Sequence, residues 1–353
     1  MEIYKLGEAA EQLQLSVNTL KSLLSNKTIP SIMRTTSTEK MTRTNYYIPQ
    51  SFIEYAQKKL KLKHRTAFNT LQEYEDYTDK YGNKNGTQVI SFSNLKGGVG
   101  KTSIATNFAY ILALLNKRVL LVDMDSQANS SRYFANRYFS GESIKNIFDA
   151  VTRKEKVDTE FINSYIKKIS FENASLDLLP SELALGRVVE FSRAIFTMPH
   201  KKLNDILKPI KENYDFIIID TPPTTGLSLH MSIFASDLVS IVTDAEDFSV
   251  NGLNELAAEI QEIEDETEHV VSIDSFFINK VKKSNIHQVY IEAIAGLAIE
   301  SQIEHVYAVS DSMRFKEAQS LHIPLVEYKN ELEKKLVLSE SLIEYALEKA
   351  TEA

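Results

Sequence analysis

From Thr87 onward, short unbroken apolar runs alternate with stretches of helical period. Val89–Phe92, Val119–Val122, Phe216–Ile219, Leu238–Val242 and Phe276–Ile278 have the length and continuity of strands buried on both faces. Between them, Thr102–Leu115, Lys201–Lys211 and Gly252–Ile263 carry apolar residues at helical spacing. Strand and helix in alternation predict an α/β fold with a doubly wound, mostly parallel sheet. The front of the chain is patterned differently. Leu6–Leu13 reads as a short helix with Ala9, Ala10 and Leu13 on its apolar side. Ser16 caps a second, whose stripe is Val17, Leu20, Leu23 and Leu24. Arg34–Lys40 and Arg43–Ile48 follow as two strands around a polar turn, so residues 1–66 predict a winged helix-turn-helix. Ala67–Tyr81 reads as a connecting helix and Gly82–Gly86 as a flexible link. The chain thus divides at 1–66, 67–86 and 87–353.

Charge sharpens this division. The net charge is −8, yet residues 1–66 hold eleven Lys and Arg against five Asp and Glu, and the remainder carries −14. A basic front on an acidic body suggests a nucleic-acid-binding module. Asn18, Thr19, Lys21 and Ser22 are the outward residues of the second helix and the candidates for base contact. A small helical dimerisation module with a solvated face is the alternative. The absence of cysteine excludes a cysteine nucleophile, a thiolate zinc site, a protein-held iron–sulfur cluster and disulfides. No apolar run approaches the ~20 residues that span a bilayer. Met1–Lys5 lacks a signal-peptide layout, so the expected location is cytoplasmic. Glu331–Ala353 reads as an amphipathic helix with Leu336, Ile343, Leu347 and Ala350 on one side. Its six acidic residues against three lysines have the wrong sign for anionic lipid, which predicts packing on the domain and no membrane contact.

The chemistry is concentrated after the first apolar run. Asn94-Leu95-Lys96-Gly97-Gly98-Val99-Gly100-Lys101-Thr102-Ser103 opens straight into a helix. Glycines let backbone N–H groups turn inward around phosphate oxygens, and the helix N-terminus adds partial positive charge. Lys101 is placed to meet the β- and γ-phosphates and the Thr102 hydroxyl to meet Mg²⁺, with Gly97 to Gly100 and Ser103 completing the cradle. The usual first glycine is replaced by Leu95, and a second lysine, Lys96, stands at the start of the loop. Carboxylates at the tips of buried strands lie at the ligand edge of such a sheet. That edge receives Asp123, Asp125 and Asp220, with Asp123 and Asp220 as candidate metal ligands.

Lys-Gly-Gly-Val-Gly-Lys-Thr is the deviant Walker A motif, and the chain resembles the ParA/MinD/Soj superfamily of P-loop ATPases from about Thr87 to Ala353. Val119–Asn129 is similar to the family's second motif, with Ser126 where a proline is usual. Phe216–Pro223 is similar to its Walker B strand, and Glu246–Leu253 and Met313–Ser320 to later blocks. The resemblance implies ATP and Mg²⁺ as cofactors, Asp125 orienting the attacking water, and Lys96 reaching a partner's phosphates across a homodimer. It implies base recognition by Asn279 and non-specific DNA binding through Lys280, Lys282, Lys283, Arg314 and Lys316. Together these imply a nucleoid-associated partition ATPase, working with a ParB-like centromere-binding protein and repressing its own operon through residues 1–66. A nucleotide-switched DNA-binding regulator and a MinD-like membrane-associated spatial regulator are the alternatives.

Overall fold

The computed structural model describes residues 3–5, 32–38, 41–49, 86–139, 146–152, 157–171, 174–244, 250–267, 269–282, 284–301, 303, 305–325, 328, 341–342, 345–346 and 349–350. The two short helices, their residues Asn18, Thr19, Lys21 and Ser22, the connecting helix and Lys283 lie outside the described residues. The hairpin is described. Strand β2 (Ile32–Thr38) pairs antiparallel with β3 (Met41–Pro49), and Thr38 faces Met41 beside the turn. β1 (Ile3–Lys5) adds to the other edge of β3, a strand that the pattern did not suggest.

The main sheet has eight strands. They are β4 (Gln88–Ser93), β5 (Val119–Asp123), β6 (Lys167–Ser170), β7 (Ser175–Leu179), β8 (Phe216–Asp220), β9 (Leu238–Asp244), β10 (Ile273–Val281) and β11 (His305–Ser310). The order is β11-β10-β9-β4-β8-β5-β7-β6, parallel throughout except that edge strand β6 runs antiparallel to β7. All five strands expected from the continuous apolar runs are present. β6, β7 and β11 escaped the pattern because they are mixed in polarity, with exposed positions interleaved.

Strand alternation divides the apolar side chains between two faces. Phe216 and Ile218 of β8 join Ile90, Phe92 and Leu121 in one core, while Ile217 and Ile219 join Val89, Leu120 and Val122 in another. Helix α1 (Lys101–Leu114) covers the first core with Ile104, Phe108 and Ile111, all buried. The expected single helix over Lys201–Lys211 is broken. α6 (Lys202–Leu207) lies between 3-10 turns at Pro199–Lys201 and Lys211–Asn213, because Pro209 lacks the N–H that a continuing helix requires.

The described C-terminal residues are helical and packed on the sheet; of the apolar stripe expected there, Ala350 is buried, and Leu336, Ile343 and Leu347 lie outside the described residues. Leu342, Tyr345, Ala346 and Ala350 are buried in the first core. Tyr345 lies 4.9 Å from Phe108 and 5.2 Å from Phe277 between ring centroids. Asp274 accepts hydrogen bonds from Tyr345 Oη at 2.6 Å and from Lys349 Nζ at 2.8 Å. No helix among the described residues is long and apolar enough to cross a membrane.

Candidate functional site

Four parallel strands, β5, β8, β4 and β9, end side by side, and the loop between β4 and α1 crosses their C-terminal edge. Gly98 and Gly100 adopt φ of 78° and 102°. A Cβ at Gly100 would lie 2.1 Å from Asn279 Nδ2, so it would displace that side chain, and the positive φ is one that L residues rarely adopt. The loop walls a cavity of about 490 Å³ that Lys101, Thr102, Ser103, Asp125, Asn129 and Lys280 also line. Lys101 is only 6% exposed, and its Nζ donates to the Lys96 carbonyl at 3.3 Å. Burial holds its pKa below the usual lysine value, and the nearby Asp220 and Asp125 carboxylates oppose that shift.

The strand-tip carboxylates differ in what they have left to offer. Asp123 and Asp220 are register partners across β5 and β8. Asp123 uses both oxygens on the turn that follows: Oδ1 accepts from Asp125 N at 3.1 Å, and Oδ2 accepts from Ser131 N and Oγ at 2.8 and 2.7 Å. These three bonds orient the carboxylate expected as a metal ligand, with Ser131 reaching it from α2 (Asn129–Tyr138). Asp220 Oδ2 accepts from Ser130 Oγ at 2.6 Å, whereas its Oδ1 is buried without a hydrogen bond. Burial pushes both carboxyls above the ordinary carboxylate range. For Asp123 the neighbouring Asp220 adds to the rise, and for Asp220 the Ser130 and Thr102 hydroxyls and Lys101 pull against it.

An unsatisfied buried carboxylate oxygen is costly without a partner. Beside a threonine hydroxyl and a phosphate cradle, it fits a divalent cation with hard oxygen ligands. Asp125 lines the cavity and is nearly buried, with Oδ1 accepting from Gln127 N at 2.9 Å and Oδ2 from Asn129 Nδ2 at 3.0 Å. Two donors thus fix its orientation.

On the opposite flank, Lys96, Asn279 and Lys280 have protein partners of their own. Lys96 Nζ lies 3.1 Å from Asp244 Oδ1, at the end of β9, with 37% of the Lys96 side chain exposed. Asn279, expected at the base, donates Nδ2 to the Val99 carbonyl at 2.8 Å and accepts the Lys280 amide on Oδ1 at 2.9 Å. Lys280, expected to face DNA, turns its Nζ onto the Gly98 carbonyl at 2.7 Å. Lys282 pairs with Asp311 at 3.7 Å, and Arg314 and Lys316 lie exposed on α10 (Met313–Ser320). Sequence reasoning passed over Asp244, although it stands at a strand tip like Asp123. It also passed over Ser130 and Ser131, whose hydroxyls carry no spacing signal of their own.

Residues 87–273 match the AAA domain family. Soj, the sporulation initiation inhibitor protein of Bacillus subtilis, is 29% identical over 68% of this chain and 91% of its own length. The chromosome partitioning protein ParA of Myxococcus xanthus is 29% identical over 68% of this chain and 81% of its own. A plasmid partition protein of Borrelia burgdorferi, solved bound to AMPPNP, superposes with a TM-score of 0.56 at 26% identity, covering 71% of this chain and 98% of that one.

Proposed function

The chain belongs to the ParA-type branch of the AAA-domain P-loop ATPases, and on that premise we propose that it is a Mg²⁺-dependent ATPase that partitions DNA, most simply a plasmid. The observation that carries the proposal is the pairing of an amide-lined phosphate loop with a buried Asp220 oxygen left unbonded beside it. The loop amides would cradle the α- and β-phosphates, Lys101 would reach the β- and γ-phosphates, and Thr102 and Asp220 would hold Mg²⁺. The cation supplies charge neutralisation on the transferred phosphoryl group. Asp125, held by Gln127 and Asn129, would orient the attacking water from the cavity wall.

Lys96 would complete the site of a second copy in an ATP-bound homodimer. Its side chain is partly exposed, and its Nζ lies 3.1 Å from Asp244 Oδ1. The dimer would present Arg314, Lys316 and Lys282 to the DNA backbone, and a ParB-like partner at the centromere would accelerate hydrolysis. Residues 1–66 would bind an operator through Asn18, Thr19, Lys21 and Ser22, and so repress the protein's own operon. Leu342, Tyr345 and Ala346 turn into the core, so these side chains are spent on the domain.

Phosphate release with Mg²⁺ or with chelator, with and without random duplex, tests the chemistry. Sedimentation in ATP and in ADP tests the dimer. Turnover that needs Mg²⁺, and a dimer that needs ATP, are expected. ATP-independent association without turnover would leave only the regulator reading.

A further inference from the structure

We propose that Asn279 and Lys280, at the end of β10, are positioning residues that clip the phosphate loop into its anion-binding shape. The inference rests on the nucleotide-binding reading of the loop. A loop that aims successive N–H groups inward must turn the matching carbonyls outward. Those carbonyls need donors of their own, because a polar backbone group left unpaired away from water is costly. Three side chains supply them. Lys101 Nζ meets the Lys96 carbonyl at 3.3 Å, Lys280 Nζ the Gly98 carbonyl at 2.7 Å, and Asn279 Nδ2 the Val99 carbonyl at 2.8 Å.

The orientation of the clip is itself fixed. Asn279 Oδ1 accepts the Lys280 amide at 2.9 Å, which leaves Nδ2 to face Val99. Asn279 sits beside Asp244 in the β9–β10 register, so adjacent strand ends grip the loop at Lys96 and at Val99. Lys280 adopts φ of 55°, a left-handed conformation that a lysine enters at a cost. Gly100 matches the clip from the other side, because its missing Cβ is the space that Asn279 Nδ2 fills. Without these donors, the peptide planes flanking Val99 are free to turn a carbonyl toward the phosphates, where like charge opposes binding.

The loop amides contact the α- and β-phosphates, which ATP and ADP share. A clip therefore has a signature that neither a γ-phosphate contact nor a DNA contact would give. Binding of fluorescent ADP and ATP to the full chain, without DNA, is measured for Lys280→Met, Lys280→Arg, Lys280→Gly and Asn279→Ala. Loss of one charge-assisted hydrogen bond predicts that Lys280→Met weakens both nucleotides by the same factor, about 10-fold. Lys280→Arg, which keeps a donor, should recover most of that affinity. Lys280→Gly, which relieves the backbone but has no ammonium, should not. Asn279→Ala should weaken ADP and ATP in parallel. Weakening of ATP alone, unchanged affinity for both, or full affinity in Lys280→Gly would each overturn the clip. Lys101→Ala is the control: if it too binds nucleotide normally, the phosphate-loop reading fails, and not the clip alone.

Discussion

On the β5–β8 flank of the phosphate loop, Asp123 and Asp220 face each other in register and Asp220 keeps one buried oxygen unbonded. On the β9–β10 flank, Asp244, Asn279 and Lys280 direct their polar atoms onto the loop itself. The first flank leaves a buried acceptor open, and the second spends its described polar atoms on the loop. A buried acceptor left open beside such a loop is a candidate for ligand contact, and donors spent on the loop are candidates for holding its shape. Asp123 shows that the division does not follow residue type, since it stands on the first flank yet has both oxygens engaged by Ser131 and Asp125.

The comparison can be broken at several points. The largest effect is expected for Asp125→Ala. Loss of a positioned water should slow turnover by roughly 10²- to 10⁴-fold while nucleotide affinity changes little. Steady-state phosphate release and equilibrium binding on one preparation check both halves, and wild-type turnover would move catalysis elsewhere. Next, Lys101→Ala should weaken ATP about 100-fold, since two charge-assisted contacts to phosphate are lost together. Titration with a fluorescent analogue measures it, and a folded mutant of normal affinity would refute the loop's role.

Asp220→Asn tests the unbonded oxygen directly. The protein should keep its fold yet lose the tightening of ATP binding by Mg²⁺, a difference of about 10-fold if one carboxylate–cation contact is removed. The same substitution at Asp123 should leave Mg²⁺ dependence nearly intact and instead lower the melting temperature. If the two variants exchange phenotypes, the assignment of the flanks is reversed.

Smaller effects lie on the supporting side. Asp244→Asn removes the charge that holds Lys96 in its own protomer. For an ion pair with a partly exposed lysine, the change should be within a few-fold, about 1 kcal/mol or less. Its direction is the informative part: ATP-dependent dimerisation by sedimentation should strengthen, and weakening would mean that Asp244 aims Lys96 at the partner. The smallest effect is expected at Arg314, exposed on α10. Arg314→Ala should lower the salt slope of random-duplex binding by about 0.9, one phosphate's worth, with nucleotide affinity unaltered. An unchanged slope would remove Arg314 from the DNA surface.

Much of the first flank was legible in the chain. Gly97 to Ser103, Asp123, Asp125 and Asp220 follow apolar runs whose continuity predicts buried parallel strands, and the structure brings all of them to one edge. The strands of mixed polarity, β6, β7 and β11, were not legible, because their polar faces break the run on which the prediction depends. Asn279 and Lys280 were visible as residues expected at the base and at DNA, and their contacts to the loop were not legible. Their spacing from the loop, 180 and 182 residues along the chain, carries no local signal.

Sequence by itself determined the alternation of strand and helix, the phosphate-binding loop and the carboxylates of the strand tips, because each is a property of neighbours along the chain. Only the tertiary structure decided which carboxylate keeps a free oxygen, which lysines face the loop carbonyls and which side chain fills the space beside Gly100. Those outcomes depend on which strand ends lie side by side and on which donors reach a given acceptor first. Strand order and hydrogen-bond competition are set by packing across the whole sheet, not by any segment of it.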